Sequence, residues 1–147
     1  MRAPTNRFEY PVVLRRDKDG GYVVACRDLP EIVTQGESAP EALAEAADAM
    51  DEAFAARIGD EREFPPPSRR RRGEFLVSPP AETIAKAALY VAMRSAKVSK
   101  SELARRLKVD EKEVRRLLDP HHPSKLPRIA RAIGALGQKL VIGLKAA

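Results

Sequence analysis

The segment Ser99–Leu118, SKSELARRLKVDEKEVRRLL, most narrowly limits what this chain can fold into. Ser99 with Glu102, and Asp110 with Glu113, have the spacing of capping boxes, which predicts two short helices joined by a tight turn. The apolar residues that can pack this helix pair against a preceding helix are Leu103, Leu107, Val109, Val114 and Leu117. We therefore expect a helix-turn-helix, the second helix of which would lie in the major groove of DNA.

Side chains on the outer side of the second helix carry the predicted DNA contacts. If Val114 and Leu117 face the core, the basic residues of that helix project outward and can pair with phosphate or with guanine O6 and N7. Hydroxyl groups at the start of the first helix can hold the DNA backbone. The predicted DNA-binding residues are Ser99, Ser101, Lys112, Arg115 and Arg116. The alternative is a basic, solvated helical hairpin that does not touch DNA.

Charge is divided unevenly along the 147 residues. Residues 1–60 carry 7 Lys/Arg and 12 Asp/Glu, a net charge of −5, whereas residues 61–147 carry 20 and 9, a net charge of +11. A basic half attracts phosphate through counterion release, and an acidic half is repelled by nucleic acid but attracted to a basic protein. The length allows one ordinary domain or two small ones, and the division of charge favours two.

The acidic half has the pattern of a small sheet followed by a helix. Alternating apolar residues on both sides of Asp17–Gly21 predict a β-hairpin, and residues 32–35 can form a third strand. Ser38 is placed to cap a long helix, because Glu41 follows three residues later. The predicted apolar stripe of this helix is Leu43, Ala47, Met50, Phe54 and Ile58. Residues 75–77 resemble one further strand that returns to this sheet.

A row of carboxylates follows another face of this helix. These residues are Glu41, Glu45, Asp48 and Glu52, at spacings of four, three and four. Residues at such spacings lie on one helix face. The row is either a solvated surface or a docking surface for a basic protein.

The segment 59–74, GDEREFPPPSRRRRGE, is interpreted as a linker or long loop, because three prolines favour an extended chain and four arginines cannot pack into a core. Arg69–Arg72 could contact phosphate or RNA, or be a tethered basic loop with no fixed partner. Further helices are predicted at 82–97, with Ile84, Ala88, Val91 and Ala92 facing inward, and from Leu126 to near Gly137. The tail 139–145, KLVIGLK, is β-prone and is expected to pair with its copy in a dimer.

Two longer stretches together resemble one known family. GYVVACRDLPEIVTQGESAPEALAEAADAM resembles the N-terminal domain of HicB-type antitoxins, with a hairpin, an aspartate-leucine-proline element, a strand ending in TQG and a capped helix. ALYVAMRSAKVSKSELARRLKVDEKEVRRLLDPHHPSKLPRIARAIGALGQKLVI resembles the DNA-binding domain of the helix-turn-helix branch of that family. The order of the two stretches is more specific than either one. The chain departs from the family pattern at Glu31 and Lys108, where glycine is common.

The resemblance implies an α+β fold. A partial ribonuclease-H-like domain would occupy residues 1–78, including the loop 59–74, and a helix-turn-helix and dimerisation domain would occupy residues 79–147. It also implies an antitoxin that neutralises a small basic mRNA-cleaving HicA-type toxin and, as a homodimer or tetramer, binds operator DNA and represses its own operon. On this basis the acidic row Glu41–Glu52 is the expected toxin-binding face. The resemblance further implies that the chain needs no cofactor and is not an enzyme.

Other functions receive less support from the residues. A transcription regulator with a ligand-sensing N-terminal domain is the main alternative. Asp17, Asp19 and Asp28 could hold magnesium in a nuclease, but each also fits a turn. His121 and His122 do not share a helix face, so a zinc site is not predicted. The single cysteine is expected to be a buried packing residue, and the absence of a signal core or an apolar span predicts a cytoplasmic protein.

Overall fold

A computed structural model describes residues 7–146, and these form a four-stranded sheet and five helices. The elements in chain order are β1 (Tyr10–Arg16), β2 (Tyr22–Cys26), β3 (Val33–Gly36), α1 (Ala39–Gly59), β4 (Phe75–Val77), α2 (Ala81–Ala96), α3 (Lys100–Leu107), α4 (Glu111–Leu118) and α5 (Leu126–Gly134). The chain divides into two compact units, with the boundary in the sequence between Ile84 and Ala85 within α2. The predicted α+β class is confirmed.

The sheet of the first unit is antiparallel, with the strand order β3-β2-β1-β4. The predicted hairpin joins β1 to β2, and its turn contains Gly20 and Gly21 at φ values of 97° and 77°, which glycine adopts without steric cost. The last strand returns to the sheet as predicted and pairs with β1, placing Phe75 opposite Val12. Both edge strands are short, at four and three residues.

Helix α1 covers one face of this sheet around an aromatic core. The rings of Phe54 and Phe64 pack edge to face with centroids 4.8 Å apart, and Phe8 and Tyr10 lie about Phe54 at 6.0 and 6.1 Å. Edge-to-face packing is favourable because the positive ring edge meets a negative ring face. Phe64 lies in the segment interpreted as a linker or long loop; residues 61–74 do form a long loop, but its residue Phe64 is buried in the core.

The predicted apolar stripe of α1 is wrong in its first half. Ala42 and Ala46 are fully buried, whereas Leu43 and Ala47 are only partly buried. The reason is the close approach of the helix to β3, where a Cβ atom on Gly36 would lie 2.4 Å from the backbone nitrogen of Ala42. Small side chains are needed where two backbones approach so closely, so alanines face the sheet there and Leu43 lies at the partly exposed edge of the helix face.

The second unit contains α3, α4, α5 and most of α2. The predicted inward face of α2 is also wrong in part, because Leu89, Ala92 and Met93 are buried and Ile84, Ala88 and Val91 are only partly so. Two residues expected in apolar contacts, Val109 and Leu126, are 39% and 43% exposed. Residues 138–146 form no strand in this single chain, and the pairing proposed for them needs a second copy.

Candidate functional site

Helices α3 and α4 are joined by three residues, and their ends are fixed by local hydrogen bonds. The hydroxyl of Ser99 accepts from the Glu102 nitrogen at 3.1 Å, and the Asp110 carboxylate accepts from the Lys112 nitrogen at 2.8 Å. The caps predicted from the sequence are therefore present, although Asp110 binds the second helical nitrogen rather than that of Glu113. Lys108 ends α3 in the left-handed conformation, at φ 56° and ψ 45°. A lysine thus adopts the conformation for which glycine is common, at a cost of about 1 kcal/mol.

The predicted DNA-binding side chains are all exposed and lie on α4 or at the start of α3. Val114 and Leu117 face the core as expected, while Arg115 and Arg116 are 62% and 47% exposed in their side chains. Each arginine is paired within its own helix, Arg115 with Glu111 at 3.0 Å and Arg116 with Glu113 at 2.6 Å. Exposed ion pairs of this kind contribute little to stability, so phosphate can compete with the glutamates for both guanidinium groups.

A buried lysine, which the sequence did not reveal, supports the end of α4. The Lys86 side chain is fully buried in α2, and its ammonium donates to the Arg116 and Leu117 carbonyls at 2.8 and 3.2 Å and to the Ser124 hydroxyl at 2.8 Å. The last carbonyls of a helix have no partner within the helix, and a cation there is also attracted to the negative end of the helix dipole. Lys86 therefore fixes the position of the helix that carries Arg115 and Arg116.

The predicted acidic face is present on α1. Its four carboxylate residues, Glu41, Glu45, Asp48 and Glu52, are exposed. Glu41 also has a structural role, because its side chain accepts from the Glu37 nitrogen at 3.2 Å beside the Ser38 cap. The face opposite the buried alanines thus presents negative charge to solvent, as a surface that attracts a basic protein requires.

Glu31, one of the two departures from the family pattern, is half of an ion pair. Both of its carboxylate oxygens accept from the Arg57 guanidinium, at 2.6 and 2.9 Å, and the Arg57 side chain is almost fully buried. The hydrogen bonds from Arg57 hold the pKa of Glu31 below its usual value. The pair joins the loop before β3 to α1. The separation of 26 residues between the partners explains why no local pattern predicted it.

One of the three carboxylates considered for a nuclease is hydrogen-bonded to a serine far along the chain. Asp28 accepts hydrogen bonds from the backbone nitrogen and the hydroxyl of Ser68, and residues 7–146 contain no group of three or more His, Cys, Asp or Glu residues placed to hold a metal ion. His121 and His122 are exposed in the turn after α4. Cys26 is buried, as predicted, and burial raises the pKa of its thiol. Within the same residues, no helix is long and apolar enough to cross a membrane.

The family is established by comparison with known proteins. A model of the HicB-like antitoxins of bacterial toxin–antitoxin systems matches residues 9–88, and the chain belongs to this family. It is 35% identical over 133 residues to Antitoxin HicB of Escherichia coli K12, covering 90% of this chain and 96% of that protein. It is 38% identical over 136 residues to Antitoxin HicB 2 of Photorhabdus laumondii, covering 92% and 96%. It is 34% identical over 141 residues to Antitoxin HicB of Pseudomonas fluorescens, covering 95% and 96%.

Proposed function

We propose that this antitoxin neutralises a small basic HicA-type toxin and represses its own operon, and that it does both by binding rather than by catalysis. Membership of the HicB-like family is the observation that carries the proposal, because an antitoxin requires a toxin partner. The relatives cover nearly the whole chain, which extends the similarity through the α3–α4 helix pair. Residues 1–78 would bind the toxin through a partial ribonuclease-H-like fold, and residues 79–147 would bind DNA.

Toxin binding is assigned to the acidic face of α1. Its carboxylates are exposed on a regular helix that is held against the sheet, so the backbone keeps them on one face before a partner arrives. Complementary charge accelerates association and excludes like-charged partners. A small basic toxin would complement the charge of this surface.

Operator binding is assigned to α3 and α4 as a helix-turn-helix. Lys112, Arg115 and Arg116 would contact bases and phosphates in the major groove, while Ser99 and Ser101 would contact the backbone. Repressors of this class bind paired half-sites as dimers. A homodimer, or a tetramer built from two dimers, is therefore proposed. The exposed apolar tail, with Val141 and Ile142 at 67% and 71% exposure, would lie in the contact between copies.

The test separates the two activities in cells. The gene next to this one would be expressed with the wild-type chain or with a variant that carries Glu45→Gln, Asp48→Asn and Glu52→Gln. We expect growth arrest that the wild type relieves and the variant does not. The matched control removes three exposed charges elsewhere, by Asp19→Asn, Asp60→Asn and Glu63→Gln, and should relieve arrest as the wild type does.

A reporter driven by the DNA upstream of this gene measures the second activity. Arg115→Gln with Arg116→Gln should abolish repression and leave relief of arrest unchanged. Loss of both activities in this variant would contradict separate binding surfaces. A harmless neighbouring gene would contradict the toxin assignment, and repression that responds to a small molecule without any protein partner would favour the ligand-sensing regulator.

A further inference from the structure

The arginine loop, residues 65–74, is a fixed part of the first unit. At its start, the Tyr10 hydroxyl donates to the Pro65 carbonyl at 2.7 Å, and Arg7 donates to the same carbonyl at 2.9 Å. Three residues later the Ser68 nitrogen and hydroxyl donate to the Asp28 carboxylate. The loop is therefore anchored to the sheet before the arginines begin.

The end of the arginine loop is held by a buried carboxylate. Glu74 accepts two hydrogen bonds from the Arg27 guanidinium, both at 3.0 Å, and one from the Arg71 nitrogen at 2.6 Å. Arg27 also donates to the Arg69 carbonyl at 2.7 Å. These bonds hold the pKa of Glu74 to about 2, so the carboxylate stays charged at neutral pH. These bonds thus hold the backbone that carries the arginines to the rest of the first unit.

The four arginines of the loop are open to solvent, and three of them have unpaired side chains in the described part of the chain, residues 7–146. All four residues are exposed, and residues 71–74 form a turn, closed by the Glu74 nitrogen on the Arg71 carbonyl at 3.0 Å, that places Arg72 at its tip. Gly73 supplies the positive φ of 86° that this turn requires. Within residues 7–146, the guanidinium groups of Arg69, Arg71 and Arg72 make no hydrogen bond or ion pair, whereas Arg70 donates to the Glu74 carbonyl. Three charges are therefore available to a ligand.

We propose that the arginine loop binds the phosphate backbone of duplex DNA and adds a second DNA contact to the proposed operator binding, on which this inference rests. Arginine matches phosphate geometry through paired hydrogen bonds. Because the anchors already fix the backbone, little backbone conformational entropy is lost on binding. The loop would recognise the charge of the DNA and not its base sequence, since side chains that contact only phosphate carry no sequence information.

The composition of the loop favours duplex over single-stranded nucleic acid. Single strands are bound mainly by stacking bases on aromatic side chains. Residues 65–74 contain no aromatic residue. Phe75, which follows the loop and pairs with Val12 in the sheet, is 45% exposed, but one ring can stack on a single base and not on successive bases along a strand. Phosphate contact without stacking is the mode that a duplex allows.

Fluorescence anisotropy on the full-length chain tests this inference. The probes are a duplex from the DNA upstream of this gene, a scrambled duplex and a single-stranded RNA of equal length. The loop variant carries Arg69→Gln, Arg71→Gln and Arg72→Gln, and the control removes the same charge from exposed residues by Arg15→Gln, Arg16→Gln and Lys18→Gln. Each protein is titrated between about 50 and 200 mM salt, the range over which counterion release changes affinity strongly.

We expect the loop variant to lose affinity for both duplexes by the same factor and to retain the wild-type preference between them. With three phosphate contacts removed, the slope of log affinity against log salt should fall by about 2 to 3, so the wild type should lose up to about 40-fold more affinity over this range than the variant. The control should keep nearly the wild-type slope. Equal slopes in the loop variant and the control would overturn the inference, as would tighter binding of RNA than of duplex that the loop variant abolishes. Equal affinity of the wild type for both duplexes would instead contradict the proposed operator binding.

Discussion

Replacement of Lys86 by methionine tests the role of the buried ammonium most directly. Methionine has nearly the same length and apolar volume, so the change removes the charge and its hydrogen bonds and leaves the packing largely intact. In the folded protein the ammonium donates to two carbonyls of α4 and to the Ser124 hydroxyl at distances from 2.8 to 3.2 Å.

The expected loss of stability follows from these three acceptors. A hydrogen bond from a charged donor contributes about 1.5–3 kcal/mol, but the variant is also relieved of burying an ammonium group. Arg116 keeps a second donor, because the Asp119 nitrogen lies 3.3 Å from its carbonyl. The Leu117 carbonyl loses the Lys86 ammonium as a donor. We therefore expect Lys86→Met to lower the free energy of unfolding by about 2–4 kcal/mol.

Urea titration followed by circular dichroism measures this change, with Lys139→Met as the control. Lys139 is exposed beyond α5, and an exposed substitution of this kind usually changes stability by less than about 0.5 kcal/mol. If Lys86→Met were no more destabilising than Lys139→Met, the ammonium would not support the end of α4, and the explanation given for its burial would be wrong.

The first unit offers two further predictions. Gly36→Ala should destabilise the protein by about 1–3 kcal/mol, because its Cβ would meet the backbone of Ala42, whereas Gly59→Ala, with nothing within 4 Å, should be neutral or stabilising in the same urea titration. The low pKa of Glu74 predicts a stabilisation that is complete above pH 4.5 and is lost as the pH falls toward 2. Glu74→Gln should therefore be less stable than the wild type at neutral pH, with a difference that disappears near pH 2; a difference that does not depend on pH would contradict the ion pair with Arg27.

Features that depend on neighbouring residues were predictable from the sequence. The caps at Ser38, Ser99 and Asp110 are set by side chains that bind backbone nitrogens two or three residues away, so their spacing in the sequence was sufficient. The hairpin followed from alternation and turn residues, and the last strand from the short apolar run Phe75–Val77. Exposure of the acidic row and of Arg115 and Arg116 followed from helical periodicity.

Features that depend on contacts between distant segments were decided only by the tertiary structure. Three contacts join residues that lie 26, 47 and 30 positions apart in the sequence. They are Arg57 with Glu31, Arg27 with Glu74, and Lys86 with the end of α4. The same reason explains the wrong apolar stripe on α1 and the unforeseen burial of Phe64 in the segment interpreted as a linker or long loop. Helical periodicity shows that a helix has an apolar side, but the approach of the helix at Gly36 selects which residues are buried. The sequence of an arginine-rich segment predicts a solvated loop. In the structure the buried residues Phe64 and Glu74 fix its backbone, because their packing and hydrogen bonds can offset the conformational entropy lost on ordering a loop.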